Sequence, residues 1–175
     1  TLIKNSHLLS IKDFDVSDQI PNLIEAGIVS FKIEGRLKDV VYVKNNVSYL
    51  RQKLDSFLKN EGSEKYTKAS SGKCTYTFDS SLNRTFNRGY TDYFVNERHA
   101  SIGSWESPKS KGQYIGKLIK TVGNYYEIEN GELLNNGDGL CFINENNEAE
   151  GIYVNKSENG KIYPNVLKEV KEGTF

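Results

Sequence analysis

The sequence predicts an α+β fold in two parts, a βαβα segment of parallel-sheet grammar and then a small antiparallel β-barrel. Three observations predict it. An apolar periodicity of three- and four-residue steps runs to about Asn60, short aromatic and β-branched runs take over after Lys73, and Gly/Asn pairs punctuate those runs. The expected boundaries are 1–62 for the two βα units, 63–111 for a connector and 112–175 for the β domain.

In chain order, residues 6–10 (Ser-His-Leu-Leu-Ser) read as a short extended piece. Asp15 to Ala26 reads as a helix, with Val16, Ile20, Leu23 and Ile24 at helical spacing and Gly27 as a stop. Pro21 sits inside that pattern, so the helix either starts later or is kinked. Ile28 to Glu34 reads as a strand, because Val29, Phe31 and Ile33 alternate with Ser30, Lys32 and Glu34. Asp39 is suited to cap the next helix, whose stripe of Val40, Val43, Val47, Leu50, Leu54 and Leu58 gives it one apolar face. Residues 61–72 are polar and glycine/serine-rich, as a linker or exposed loop would be.

Beyond Lys73 the turn chemistry dominates. Gly123-Asn124 separates residues 115–119 from 125–128 as a two-residue hairpin loop. Asn136-Gly137-Asp138-Gly139 leads into Leu140-Cys141-Phe142-Ile143, and Asn159-Gly160 divides residues 151–154 from 161–163. Four to six short strands at this spacing argue for a small antiparallel barrel or sandwich, of which the barrel is the expected form.

Composition narrows the function classes. Of 175 residues, 37% are hydrophobic and 26% charged, as in globular proteins, and formal net charge is zero, so no whole-surface attraction to nucleic acid or membrane follows. No apolar run reaches the roughly 20 residues that cross a bilayer, and the sparse cysteine usage sets the expectation of a cytoplasmic address. Cys74 and Cys141 stand outside any CxxC or Cys/His cluster and read as buried free thiols. The absence of Met, position 1 included, suggests that Thr1 is an excised boundary.

Three stretches carry a resemblance to a known family. They are Leu8 to Asp13 with Ile20 to Gly27, Ser30 to Lys38 (Ser-Phe-Lys-Ile-Glu-Gly-Arg-Leu-Lys) with Tyr42-Val43, and Phe86-Asn87-Arg88-Gly89-Tyr90-Thr91 with Ser107-Pro108-Lys109. In order and spacing they resemble the collagenase-like peptidase family (peptidase U family, number 32), C-terminal portion. The resemblance implies that residues 1–62 are a remnant of a (β/α) barrel whose missing N-terminal part is a partner, with Lys32, Glu34 and Arg36 at the C-terminal end of a late strand. It also implies that some relatives hold an iron–sulfur cluster upstream. Cys74 and Cys141 match none of those positions, so no cofactor is expected in this segment. The resemblance implies two different chemistries, that of a collagenase-like peptidase and that of relatives that hydroxylate a base in tRNA or ribosomal RNA.

The candidate residues follow. Lys32, Glu34 and Arg36 alternate along a strand and could form a base-plus-clamp arrangement, or else a salt-bridged strand end. Asn87 and Arg88 place a planar cation beside Gly89 and Tyr90, able to bind phosphate or stack on a base, or to form a tight turn. Lys109, Lys111, Lys117 and Lys120 lie near Trp105, Tyr114, Tyr125 and Tyr126, a pattern of single-stranded nucleic-acid grips and of ordinary solvated faces alike. His7 and His99 have no metal partners by spacing, and His99 with Ser101 is adjacency rather than a triad. The first reading is the C-terminal segment of a collagenase-like protease, not catalytic alone. The alternative is the RNA-binding or substrate-positioning part of an RNA base-hydroxylating relative. The substrate partner is accordingly protein or RNA, with no membrane.

Overall fold

A computed structural model describes residues 6–60, 64–98, 101–146 and 148–174. The chain divides into two compact units, Lys12–Ile102 and the pair Thr1–Ile11 with Gly103–Phe175.

In the Lys12–Ile102 unit, strand β1 (Asp13–Phe14) pairs in parallel with β2 (Tyr90–Thr91), Asp13 opposite Tyr90 and Phe14 opposite Thr91. Helix α1 spans Ile20–Glu25. It begins late enough to hold Pro21 in its first turn, where a missing N–H costs nothing. Gly27, at φ +93°, ends it. The Ile28 N–H reaches Leu23 O at 3.0 Å and the Gly27 N–H reaches Ile24 O at 2.9 Å, the paired bonds of a Schellman stop. Helix α2 spans Val40–Asn60, and Asp39 caps it by accepting the Tyr42 N–H at 2.7 Å.

Two expectations are corrected here. Residues 28–34 keep the alternation of a strand but make no ladder: no partner edge for their backbone exists among the described residues, and a strand without one leaves its N–H and C=O groups to water. Val29 is 96% exposed. The stripe of α2 likewise does not face a core at its start, since Val40, Val43 and Val47 are exposed while Asn45, Asn46, Ser48 and Phe57 are buried. Asn45 explains the choice. Its Nδ2 donates to Ser81 O at 2.7 Å and its Oδ1 accepts the Ser81 N–H at 2.9 Å, so a polar side chain docks the 81–85 turn onto the helix.

The other unit holds one five-stranded antiparallel sheet in the order β3-β4-β7-β6-β5. Its strands are β3 (Leu118–Val122), β4 (Tyr125–Ile128), β5 (Gly139–Ile143), β6 (Ala149–Glu158) and β7 (Lys161–Pro164). The hairpins at Gly123-Asn124 and Asn159-Gly160 form where the turn residues sit, and Asn159 and Gly160 both take positive φ (51° and 75°), the requirement of a tight right-twisting loop. One face buries Leu118, Tyr126, Leu134, Ile152, Val154 and Ile162 as a single core. The expected closed barrel is corrected to an open sheet, because β3 and β5 are not paired to each other. Residues 173–174 instead cover part of β3, with the Leu118 N–H on Thr174 O at 2.9 Å and the Gly173 N–H on Leu118 O at 2.8 Å.

Two smaller corrections follow. Residues 6–10 form a turn rather than an extended piece, the Ser10 N–H bonding His7 O at 2.9 Å. Both cysteines are free but exposed. On β5 the period of two explains it: Leu140 and Phe142 pack on the core, so Cys141 points the other way.

Candidate functional site

Parts of the three motif stretches, Asp13, Lys38 with Tyr42, and Phe86 to Tyr90, meet in the Lys12–Ile102 unit. Parallel pairing of β1 with β2 brings Asp13, from the first stretch, against Arg88, from the third. Arg88 Nη2 donates to Asp13 Oδ1 at 2.8 Å, its Nε to Oδ2 at 3.4 Å, and its backbone N–H to Oδ2 at 2.8 Å. This fork-on-carboxylate geometry raises the guanidinium pKa above its ordinary value. The turn that presents it is built by Asn87, which is 2% exposed: its amide donates to Thr85 O (3.0 Å) and Asn83 O (3.3 Å), and its Oδ1 accepts the Gly89 N–H (3.1 Å). Gly89 takes φ +81° beside the Lys12 side chain. Tyr90 donates its hydroxyl to Leu82 O at 2.8 Å, and burial pushes its pKa well up.

The second stretch supplies Lys38 and Tyr42. Lys38 Nζ lies 3.1 Å from the Phe86 ring centroid and 5.6 Å from that of Tyr42, while Arg88 Cζ stands 6.0 Å from Phe86. One ring is thus approached by two cations. Burial lowers the Lys38 pKa; Asp13 opposes that effect and Arg88 reinforces it. Tyr42 is raised, first by burial. Asp13 is engaged by Arg88, so the cluster carries one net positive charge, and Lys38 makes no ion pair among the described residues. Such a group can take an anionic oxygen on Lys38 and a planar ligand along the aromatic surface.

The other candidates are placed as follows. Lys32 and Glu34 form an exposed ion pair at 2.9 Å, with Arg36 also exposed. Lys111 pairs with Glu106 at 2.9 Å, and Lys109 is exposed with its N–H on Ser107 Oγ at 3.0 Å. Tyr126 belongs to the core, and Lys120 pairs with Glu127 at 3.2 Å. His99 lies outside the described residues, as do residues 61–63 of the linker. Asp13, Lys38, Tyr42 and Phe86 lie within the motif stretches, and that membership is the signal the sequence holds for them.

No group of three or more His, Cys, Asp or Glu among the described residues could hold a metal ion. An iron–sulfur cluster takes about four thiolates, and this chain has two cysteines, Cys74 and Cys141, both free. No helix among the described residues is long and apolar enough to cross a membrane.

The chain belongs to Peptidase family U32, whose model matches residues 1–104. It is 41% identical over 166 residues to the "23S rRNA 5-hydroxycytidine C2501 synthase" of Escherichia coli, covering 92% of this chain and 25% of that protein. It is 30% identical over 141 residues to a "Collagenase" of Porphyromonas gingivalis, covering 75% and 36%. A shorter match, 45% identical over 49 residues, is to the "tRNA hydroxylation protein P1" of Bacillus subtilis, covering 28% and 12%. The chain therefore spans about a quarter to a third of the first two relatives. No solved structure matches it.

Proposed function

We propose that this chain is the RNA-positioning part of an RNA base-hydroxylating member of the family, and that chemistry needs polypeptide beyond these residues. The observation that carries the reading is the motif crossing itself, in which Lys38 and Arg88 flank Phe86 while a single carboxylate offsets them. Cations over an aromatic ring suit a phosphate beside an unstacked base. The naming of the E. coli relative as an rRNA-modifying synthase supports the same reading. Lys32, Glu34 and Arg36 are this chain's contribution to a catalytic centre completed by other polypeptide. The exposed alternation of Val29, Phe31 and Ile33 beside them is the surface that polypeptide would meet.

The test is binding to single-stranded RNA against salt concentration, with Lys38→Gln as the variant. Arg88→Ala is unsuitable, because it strands Asp13 and disturbs the turn. Lys38→Gln is expected to weaken binding roughly tenfold and to flatten the salt slope by about one counterion. Absence of RNA binding at low salt would overturn the reading. Gelatin cleavage by the purified chain, abolished by Glu34→Gln, would replace it with the peptidase one.

A further inference from the structure

The sheet has a second face. Tyr126, Ile128 and Ile162 point into the core, so Tyr125, Glu127, Lys161 and Tyr163 point away from it. Tyr126 pairs with Ile162 across β4 and β7, which sets Tyr125 directly opposite Tyr163, and their ring centroids lie 5.4 Å apart at 48°. On β6, Lys156 is the register partner of Tyr163. The Lys156 Nζ lies 5.7 Å from the Tyr163 ring centroid and the Lys161 Nζ 5.1 Å from that of Tyr125. Two neighbouring tyrosines, each with a lysine over its ring, therefore form a row across three adjacent strands.

The charges around the row leave a positive excess. Lys120 pairs with Glu127 at 3.2 Å and Lys156 with Glu158 at 2.7 Å, while Lys161 stands in register between Glu127 and Glu158 without an ion pair to either, so these three lysines face two carboxylates. Both tyrosines are half-buried, outside the core and not fully covered. A sheet face that presents adjacent aromatic rings flanked by lysines matches the demands of an unpaired strand, whose bases stack on rings and whose phosphates meet ammonium groups.

We propose that Tyr125 and Tyr163, with Lys156 and Lys161, are a stacking platform for single-stranded RNA. This rests on the RNA reading above and adds to it a second grip, in the other unit, that reads bases by stacking rather than by sequence. Duplex RNA hides its base faces and is a poor ligand for such a row.

The experiment is photocrosslinking of the whole chain to an oligouridine of about eight nucleotides carrying bromouridine, a length within the span of one small β domain. Crosslinked peptides are located by mass spectrometry, and affinity is measured by anisotropy. Crosslinks at Tyr125 or Tyr163, and at least about tenfold weaker binding by the Tyr125→Leu/Tyr163→Leu double variant with the Phe pair restoring it, are expected. Should the Leu pair fail to fold by circular dichroism, crosslink position in the parent chain decides. Crosslinks confined to the Lys38–Phe86 region, with Lys38→Gln still weakening binding, would overturn the platform and leave the RNA reading intact. Equal affinity for duplex and single strand would overturn it as well. No binding of either RNA would overturn both.

Discussion

At the scale of single residues, one polar feature joins two motif stretches, a carboxylate shared by a guanidinium and a backbone N–H. Asp13 accepts three bonds from Arg88, and the pair is mostly withdrawn from solvent, with 19% and 30% of the respective side chains exposed. Removing the guanidinium strands a half-buried charge, so Arg88→Ala should cost roughly 2 kcal/mol of stability in a denaturant titration. Arg88→Lys should recover less than half, since an ammonium cannot reproduce the fork. Tyr90 makes a second prediction. Burial raises its pKa above the ordinary 10.0, so the folded state holds the phenol proton after the unfolded state has lost it. The stabilisation this provides is complete below pH 10 and declines as pH rises above it. Stability measured across that range should fall less steeply in Tyr90→Phe, which lacks the ionisable group and, at all pH values, the bond to Leu82 O.

At the scale of elements, polar side chains do much of the docking. Asn45 replaces an apolar contact between α2 and the 81–85 turn with two hydrogen bonds that satisfy both backbone groups of Ser81. In the sheet, Tyr126 has the same function from a core position. Its hydroxyl donates to Lys168 O and accepts the Lys168 N–H, both at 2.7 Å, so a ring that is 1% exposed also holds the segment after β7. Tyr126→Phe should keep the core and lose both bonds, leaving two backbone groups to find water. The expected cost is about 1–3 kcal/mol, and amide exchange at Lys168 should quicken more than in β4 or β7. Unchanged exchange at Lys168 would mean that the hydroxyl does not hold that segment.

At the scale of the whole molecule, apolar surface is distributed unevenly. Val29 and Leu37 are 96% and 88% exposed, and Phe31, Val40 and Val41 are exposed with them, whereas the sheet unit has a compact core that includes Ile162 at 0%. The chain should therefore bind a hydrophobic dye such as ANS, and Val29→Asp should lower the fluorescence while changing stability by no more than about 0.5 kcal/mol. A loss of several kcal/mol would show that the segment is packed within the chain itself. What the sequence by itself determined are the features that depend on near neighbours: the Asp39 cap and the length of α2, the Gly27 stop, the hairpins at Gly123-Asn124 and Asn159-Gly160, and the family resemblance carried by short motifs. A cap, a stop and a tight loop are each satisfied within about five residues, so composition and spacing specify them. Only the tertiary structure decided that residues 28–34 pair with nothing described, that α2 buries Asn45 in preference to Val47, that the sheet stays open, and that Asp13 meets Arg88 across 75 positions of chain. Strand pairing, burial of a helix face and a long-range ion pair all require a partner surface, and no local pattern records which surface will arrive.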